Sequence, residues 1–405
     1  MRILVISNLY PPNARGGYEI ACANVARELS QRGHEVLVLT AYCLESLDND
    51  NETNAGPKVL RILNYYPESA SCLKYISNIL KSQYFSWKNY RIMKQYILSF
   101  LPEIIYVWNI TGIGMFTVVY ITTKFHNTVI FHLMDYELAR NFSLRPEGSK
   151  KFMRWFRKVI FLNCHKLFNK IYFIAMSENV KQAFVSSGYN HNRIVRIYHG
   201  LSLENYQCKN LDQVFSDKIK FLYCGQIVKE KGLDVLIQAL VEVEREIRDF
   251  DFKLDIFGKG DSNYLNALRG LIKSLDLQDD IKINDFKTNK EIAKMFHAYD
   301  IFVYPTLRNE PFGIAIIEAM AAGLPTIATD IGGVREIITH GETGFLFPKE
   351  DFEVLSRIII QLLRNKELYR KISSNAVDDV KKRFVLNRSV TNIEDFFSEC
   401  LSSKV

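Results

Sequence analysis

Arg2-Ile3-Leu4-Val5-Ile6-Ser7, a periodic stretch from Ala21 to Gln31, Gly33, and then Glu35-Val36-Leu37-Val38-Leu39-Thr40 form the run on which the architecture turns. Two short β-branched segments, with helical apolar spacing between them and a glycine closing it, spell strand, helix, strand. Such a unit puts its two strands parallel, joined by a right-handed crossover. Further buried strands are expected at Glu103 to Val107, Val129 to Leu133, Ile171 to Met176 and Val195 to Tyr198. The first part of the chain therefore reads as a doubly wound α/β domain.

A second series starts after the polar stretch Glu204 to Lys218. Lys220-Phe221-Leu222-Tyr223-Cys224 ends at Gly225, and a helix is expected from Gly232 to Ile247. Strands follow at Phe252 to Phe257, Ile281 to Ile283, Ile301 to Tyr304, Pro325 to Thr329 and Gly344 to Phe347. No repeat of about 20 to 50 residues recurs, which excludes a solenoid. The expected layout is two Rossmann-like domains, residues 1–205 and 206–384, with a carboxyl-terminal helix over about 385–405 packing back on the first. A cleft facing the carboxyl ends of both sheets is the natural ligand site.

Composition narrows the class. With 405 residues, 48% hydrophobic and 24% charged, the chain is neither disordered nor low in complexity. Its seven cysteines (Cys22, Cys43, Cys72, Cys164, Cys208, Cys224 and Cys400) form no C-x-x-C pair and no even framework, so a zinc ribbon and a disulfide scaffold are excluded and a cytoplasmic setting is expected. Met1 to Ser7 lacks the basic region of a signal peptide. Ile104 to Thr123 is uncharged and long enough to span a bilayer, but Asn109, Gly112 and Gly114 interrupt it, and a strand, turn and helix fit better.

The net charge of +7 is unevenly spread: residues 1–205 hold 24 Lys/Arg against 14 Asp/Glu, and residues 206–405 hold 28 against 31. A basic first half suits an anionic lipid or phosphorylated substrate, or is simply a solvated surface; the charge alone does not choose. Lys150-Lys151-Phe152-Met153-Arg154-Trp155-Phe156-Arg157-Lys158 and the segment Ser77 to Phe100 both mix basic and aromatic residues. Interfacial helices have that mixture, and so does a core-facing helix with a basic outer stripe, the reading favoured here. No nucleic-acid-binding motif accompanies the charge.

Nucleotide motifs discriminate further. Gly16-Gly17 does not extend to G-x-G-x-x-G, and the second strand ends at Thr40 where a dinucleotide fold places an acid. Gly258-Lys259-Gly260 is followed by Asn263 in place of the third glycine, and no P-loop occurs. Asp48-Asn49-Asp50 has the lettering of a metal-binding motif but lies in a polar run, as a solvated loop does. The strongest constellation is Glu310-Pro311-Phe312-Gly313-Ile314-Ala315-Ile316-Ile317-Glu318, directly after a strand and across a helix start. Two carboxylates eight apart on a helix would project from similar faces, and free amides at a helix start attract phosphate. That pattern suits a nucleotide sugar.

In order and flank, this block strongly resembles retaining glycosyltransferases of family four, which have the GT-B fold. The resemblance continues through Ala321-Ala322-Gly323-Leu324-Pro325, Asp330-Ile331-Gly332-Gly333-Val334-Arg335-Glu336 and Gly341-Glu342-Thr343-Gly344-Phe345. It also includes Gly225, Lys231-Gly232, Gly16-Gly17-Tyr18-Glu19 and Arg32-Gly33-His34-Glu35-Val36. The resemblance implies that Glu318 holds the ribose hydroxyls and Glu310 those of the donor sugar, with the amides of Phe312, Gly313 and Ile314 meeting sugar and diphosphate. It implies that Lys231 neutralises the leaving diphosphate in place of a metal, and that Gly16 and Gly17 close on it beside an acceptor site that Tyr18 borders. Asn109 resembles a position lining the acceptor cleft and reads equally well as a helix cap.

Two departures stand out. Gln226 occupies a position where the family usually has Arg, so diphosphate binding would rest more on Lys231 and the helix dipole. In Phe131-His132-Leu133-Met134-Asp135-Tyr136 only Asp135 matches the family's His-Asp pair: Met134 stands at the His position, and His132, two residues earlier, either substitutes for it or is a packed side chain. The implied activity is transfer of a sugar, with retention, from a UDP-sugar or GDP-sugar to a hydroxyl of a glycan, lipid or small molecule. No metal or cofactor and no nucleic acid are expected. The implied setting is cytoplasmic, with peripheral contact to the inner face of a membrane through the basic half. The alternatives are a nucleotide-sugar-binding protein without transfer activity and an epimerase of related fold, against which the Glu310 to Glu318 flank speaks.

Overall fold

The computed structural model describes residues 1–13, 16–42, 56–65, 75–110, 112–114, 121, 123–125, 128–136, 138–139, 168, 170–211, 215, 218–247 and 250–402. Two compact units result: Met1–His199 with Leu386–Val405, and Gly200–Val385. The division falls at His199/Gly200 instead of 205/206, because the intervening segment attaches to the second unit. Leu201 N–H donates to Phe384 O at 2.8 Å and Lys209 N–H to Ala322 O at 2.9 Å.

In the first unit, strands β1 (Arg2–Ile6), β2 (Glu35–Ala41), β3 (Lys58–Leu63), β4 (Ile104–Val107), β5 (Val129–Leu133), β6 (Tyr172–Ala175) and β7 (Ile194–Arg196) form a parallel sheet. Their order is β3-β2-β1-β4-β5-β6-β7. Ile3 to Ile6 are wholly buried, as a central parallel strand covered on both faces must be. β3 was not among the expected strands: Lys58 and Arg61 dilute its apolar pattern, which suits an edge. Helix α1 (Gly17–Gln31) starts earlier than the periodic stretch and buries Ala21, Cys22, Val25, Ala26 and Leu29. It ends where Gly33 takes φ +87°. Gly33 N–H then bonds Ser30 O at 3.0 Å and His34 N–H bonds Leu29 O at 3.2 Å, a Schellman closure that needs a residue without Cβ strain.

Helix α2 (Tyr75–Phe100) and α3 (Glu178–Ser186) follow. Ile104 to Thr123 opens with β4, and among the described residues no helix is long and apolar enough to cross a membrane. Asp48-Asn49-Asp50 and the basic-aromatic stretch Lys150 to Lys158 lie outside the described residues.

In the second unit, β8 (Ile219–Cys224), β9 (Phe252–Phe257), β10 (Ile281–Asn284), β11 (Ile301–Tyr304), β12 (Thr326–Thr329) and β13 (Phe345–Phe347) are again parallel, ordered β10-β9-β8-β11-β12-β13. Its helices are α4 (Leu233–Glu246), α5 (Ser262–Ser274), α6 (Asn289–Ala293), α7 (Ile314–Ala321), α8 (Phe352–Arg364) and α9 (Lys366–Arg383). The chain reverses its winding between β8 and β11, which are neighbours, so the loops leaving both strands emerge side by side at the sheet's carboxyl edge. A switch point of that kind is where open α/β sheets bind ligands.

The last helix, α10 (Leu386–Ser402), belongs to the first unit. Arg32 donates to Asn387 O at 2.8 Å, Asn387 Oδ1 at 2.7 Å and Thr391 Oγ1 at 2.9 Å, and it pairs with Glu394. His34 Nε2 meets the same carboxylate at 2.7 Å. Arg32-Gly33-His34 thus closes α1 and ties down α10.

Candidate active site

The β8 and β11 loops deliver the chemistry. After β8 the chain turns through Gly225 to Ile227 and enters a short 3-10 turn, Lys229–Lys231, ahead of α4. Gly232 takes φ +64°, and a Cβ there would lie 2.2 Å from Pro305 O, so only glycine lets the two loops approach this closely. That approach carries Lys231 inward to 4% exposure. Its ammonium donates to Glu310 Oε2 at 2.7 Å and to Tyr304 Oη at 2.8 Å. Burial draws the lysine pKa below its ordinary value, and the Glu310 carboxylate opposes that. Lys231 and Glu310, expected as site residues, are thus one buried ion pair.

Glu310 itself is held by the glycine pair that follows β12. Gly333 N–H donates to Glu310 O at 2.8 Å. A Cβ on Gly333 would fall 2.2 Å from Pro311 O, and one on Gly332 (φ +59°) 2.3 Å from Glu310 O. Gly313, at φ +117°, then turns the chain into α7. α7 is apolar all round apart from Glu318 and is buried accordingly. No side chain caps its start, so the amides that follow Phe312 and Gly313 point their dipole at whatever lies beyond. The expectation that the two glutamates share a helix face is corrected: three loop residues separate Glu310 from α7, because Pro311 and the positive φ of Gly313 postpone the first helical turn.

Glu318 is 8% exposed and accepts from Tyr206 Oη at 2.9 Å. Burial pushes its pKa up to about 7, against the pull of the Tyr206 hydrogen bond. Tyr206 and Arg308 are site residues that sequence reasoning missed. Arg308 is half exposed, with Nε 3.8 Å from Glu310 Oε2; its signal was a cation two positions before the motif. Tyr206 sits in a polar stretch and had no signal at all. Gln226, the expected stand-in for an arginine, is exposed, and its carbonyl accepts from Tyr223 Oη at 2.7 Å. The Gly258-Lys259-Gly260 turn packs against the same loop: a Cβ on Gly258 would lie 1.8 Å from Gly225 O.

The remaining predicted residues lie in the first unit. Gly16 is exposed and extended, and a Cβ added there would meet nothing within 4 Å, so no intramolecular contact demands a glycine. Its N–H donates to Glu19 Oε2 at 3.0 Å, and Gly17 begins α1. Tyr18 Oη lies 2.6 Å from Trp108 O and 2.9 Å from His132 O, clamping α1 to the ends of β4 and β5. Asn109 O accepts from Asn8 N–H at 2.7 Å. Asp135, half-buried just beyond β5, lies close enough to Tyr18 to raise its pKa, second to burial. His132 is 3% exposed, stacked on the Trp108 indole at 4.0 Å and hydrogen-bonded through Nδ1 to Tyr106 Oη, while its Nε2 is buried without a partner among the described residues. Burial and neighbouring His199 lower its pKa to about 3, so it is neutral at physiological pH.

Comparison with known proteins decides the class. Residues 15–205 match the family described as Glycosyltransferase Family 4, and residues 210–379 the one described as Glycosyl transferases group 1. The chain is a family-four glycosyltransferase of the GT-B fold. It is 24% identical to a glycosyltransferase of Methanocaldococcus jannaschii over 95% of this chain and 94% of that one. It is 30% identical to the N-acetyl-alpha-D-glucosaminyl L-malate synthase of Bacillus anthracis over 46% of each. Among solved structures, HepE of Anabaena in complex with UDP and glucose superposes with a TM-score of 0.72 at 21% identity, covering 98% of this chain and 99% of that one.

In this glycosyltransferase the second unit offers a buried ammonium and a carboxylate on one pair of loops, followed by a helix start and a second carboxylate within that helix. Among the described residues no trio of His, Cys, Asp and Glu side chains converges as a metal site would require.

Proposed function

We propose that this glycosyltransferase moves a sugar from a UDP-sugar to an acceptor hydroxyl with retention at the anomeric carbon and without a metal. The observation that carries the reading is the buried Lys231–Glu310 pair beside the uncapped start of α7. A buried pair of this kind is no aid to stability in itself, so its presence speaks for a task. When the donor enters, its diphosphate takes the Lys231 ammonium and the α7 amides, Glu310 receives hydroxyls of the sugar, and Glu318 receives those of the ribose. Charge that develops on the leaving diphosphate is met by groups already in place. The leaving phosphate oxygen takes the acceptor proton as the acceptor attacks from the same face, the route that gives retention. UDP is favoured because HepE is seen with UDP and glucose. The basic first half suits an acceptor at an anionic membrane surface.

The test is a panel of UDP- and GDP-sugars scored by thermal stabilisation, nucleotide release and the anomeric configuration of the product. One UDP-sugar is expected to stabilise the protein and release UDP in the presence of EDTA. Lys231→Ala should weaken UDP binding by at least ~1.5 kcal/mol, about tenfold. Unchanged affinity in that variant would defeat the assignment, and stabilisation without nucleotide release would favour a binding protein over a transferase.

A further inference from the structure

Helix α2 has two faces of opposite character. Ser86, Asn89, Met93 and Ile97 are buried, at the spacing of a single inner stripe. Asn89 locks that stripe in place, accepting from Asn64 N–H at 2.8 Å and donating to Ile113 O at 2.8 Å. The outer face shows Tyr84 at 51% exposure, Trp87 at 49%, Leu98 at 57% and, just past the helix end, Leu101 at 57%. Arg91 and Lys94 are exposed between them. At 1.5 Å per residue this stripe is about 25 Å long. The cations fold over the rings, with Lys88 Nζ 4.6 Å from the Tyr84 centroid and the Arg91 guanidinium 5.0 Å from that of Trp87.

The charge pattern names the partner. α2 spans 26 residues with Lys81, Lys88, Arg91 and Lys94 and no Asp or Glu. A merely solvated helix face mixes both signs and gains from acid–base pairs one turn apart; this one has none to make. Its cations call for an anionic surface, and its aromatic and leucine side chains call for an apolar layer just beneath. A single-stranded nucleic acid would meet the cations and stack on the rings but leave Leu98 and Leu101 facing water. An anionic phospholipid bilayer satisfies both, because headgroup phosphates meet Lys and Arg while Trp and Leu reach the acyl boundary. We propose that the outer face of α2 is a membrane-docking surface that holds the first unit against anionic phospholipid. This deepens the membrane element of the functional reading and does not depend on the donor chemistry.

The experiment is flotation of the full chain with vesicles of phosphatidylcholine alone and of phosphatidylcholine with phosphatidylglycerol. Binding is expected only with phosphatidylglycerol and should fall as salt is raised. Arg91→Glu with Lys94→Glu should lower it at least tenfold, since each cation contributes about 1 kcal/mol near such a surface. Trp87→Ser with Leu98→Ser should also lower it severalfold, and Trp87→Phe should keep binding while removing a membrane-dependent blue shift in fluorescence. Equal binding to neutral vesicles, or variants that float like the wild type, would overturn the proposal. So would single-stranded DNA bound through the same arginine and lysine by a chain that ignores vesicles. All altered side chains are exposed, so UDP should still stabilise every variant; absence of UDP stabilisation in the wild type would sink the donor reading and leave docking standing.

Discussion

Glu318 shows how one residue's burial sets a measurable property. Its pKa near 7 means the folded chain holds that proton more tightly than the unfolded one does. This carboxylate's contribution to stability is therefore present below the unfolded value of about 4.3 and is lost as pH rises through 7. Glu318→Gln, which removes the buried charge, should stabilise the protein at pH 8 by up to ~3 kcal/mol and much less at pH 5. Urea titrations at the two pH values check this, and UDP affinity should fall in the same variant. Tyr206→Phe removes the hydrogen bond that holds the Glu318 pKa down. The pH midpoint of UDP binding should then move upward by up to about one unit, the equivalent of a ~1 kcal/mol hydrogen bond; calorimetry across pH 6 to 8 reads it.

At the scale of elements, the loop between β11 and α7 is shaped by its neighbour, the glycine pair after β12. Gly333→Ala would drive a methyl into Pro311 O, 2.2 Å away. The expected result is UDP binding weakened at least tenfold together with destabilisation of about 1–3 kcal/mol, seen by calorimetry and denaturation. The Glu310 to Glu318 spacing was legible because Gly and Pro punctuate it. Lys231 was legible as a diphosphate-binding residue through the family resemblance, but its pairing with Glu310 was not, since an ion pair between distant loops needs β8 and β11 to be adjacent. β3 escaped notice because an edge strand buries too little to show a clear apolar pattern. Arg32 is a similar case: its motif was visible, and its grip on α10 was not. Arg32→Ala should destabilise the first unit by about 1–2 kcal/mol in urea, a modest figure because the cluster is partly exposed.

For the whole molecule, the two units predict a divided response to ligand. The candidate donor residues Lys231, Glu310 and Glu318 all lie within Gly200–Val385. UDP at a hundred times its dissociation constant should add about 2.7 kcal/mol to that unit's stability. Scanning calorimetry should show one transition move upward with UDP, and that transition should stay put in Lys231→Ala. A shift of the first unit's transition alone would place nucleotide elsewhere.

The sequence by itself determined that two parallel sheets would form, since β-branched runs alternating with amphipathic helices have no other way to bury themselves. It also marked the glutamate block and its glycines, because backbone that must bend or approach closely admits few residue types. Tertiary structure alone decided that Lys231 is shielded and paired, that Tyr206 reaches Glu318, that His132 lies under Trp108, and that Tyr84, Trp87 and Leu98 of α2 stand exposed. Each of those depends on segments distant in the chain being brought together or left apart, and local periodicity carries no record of distance in space.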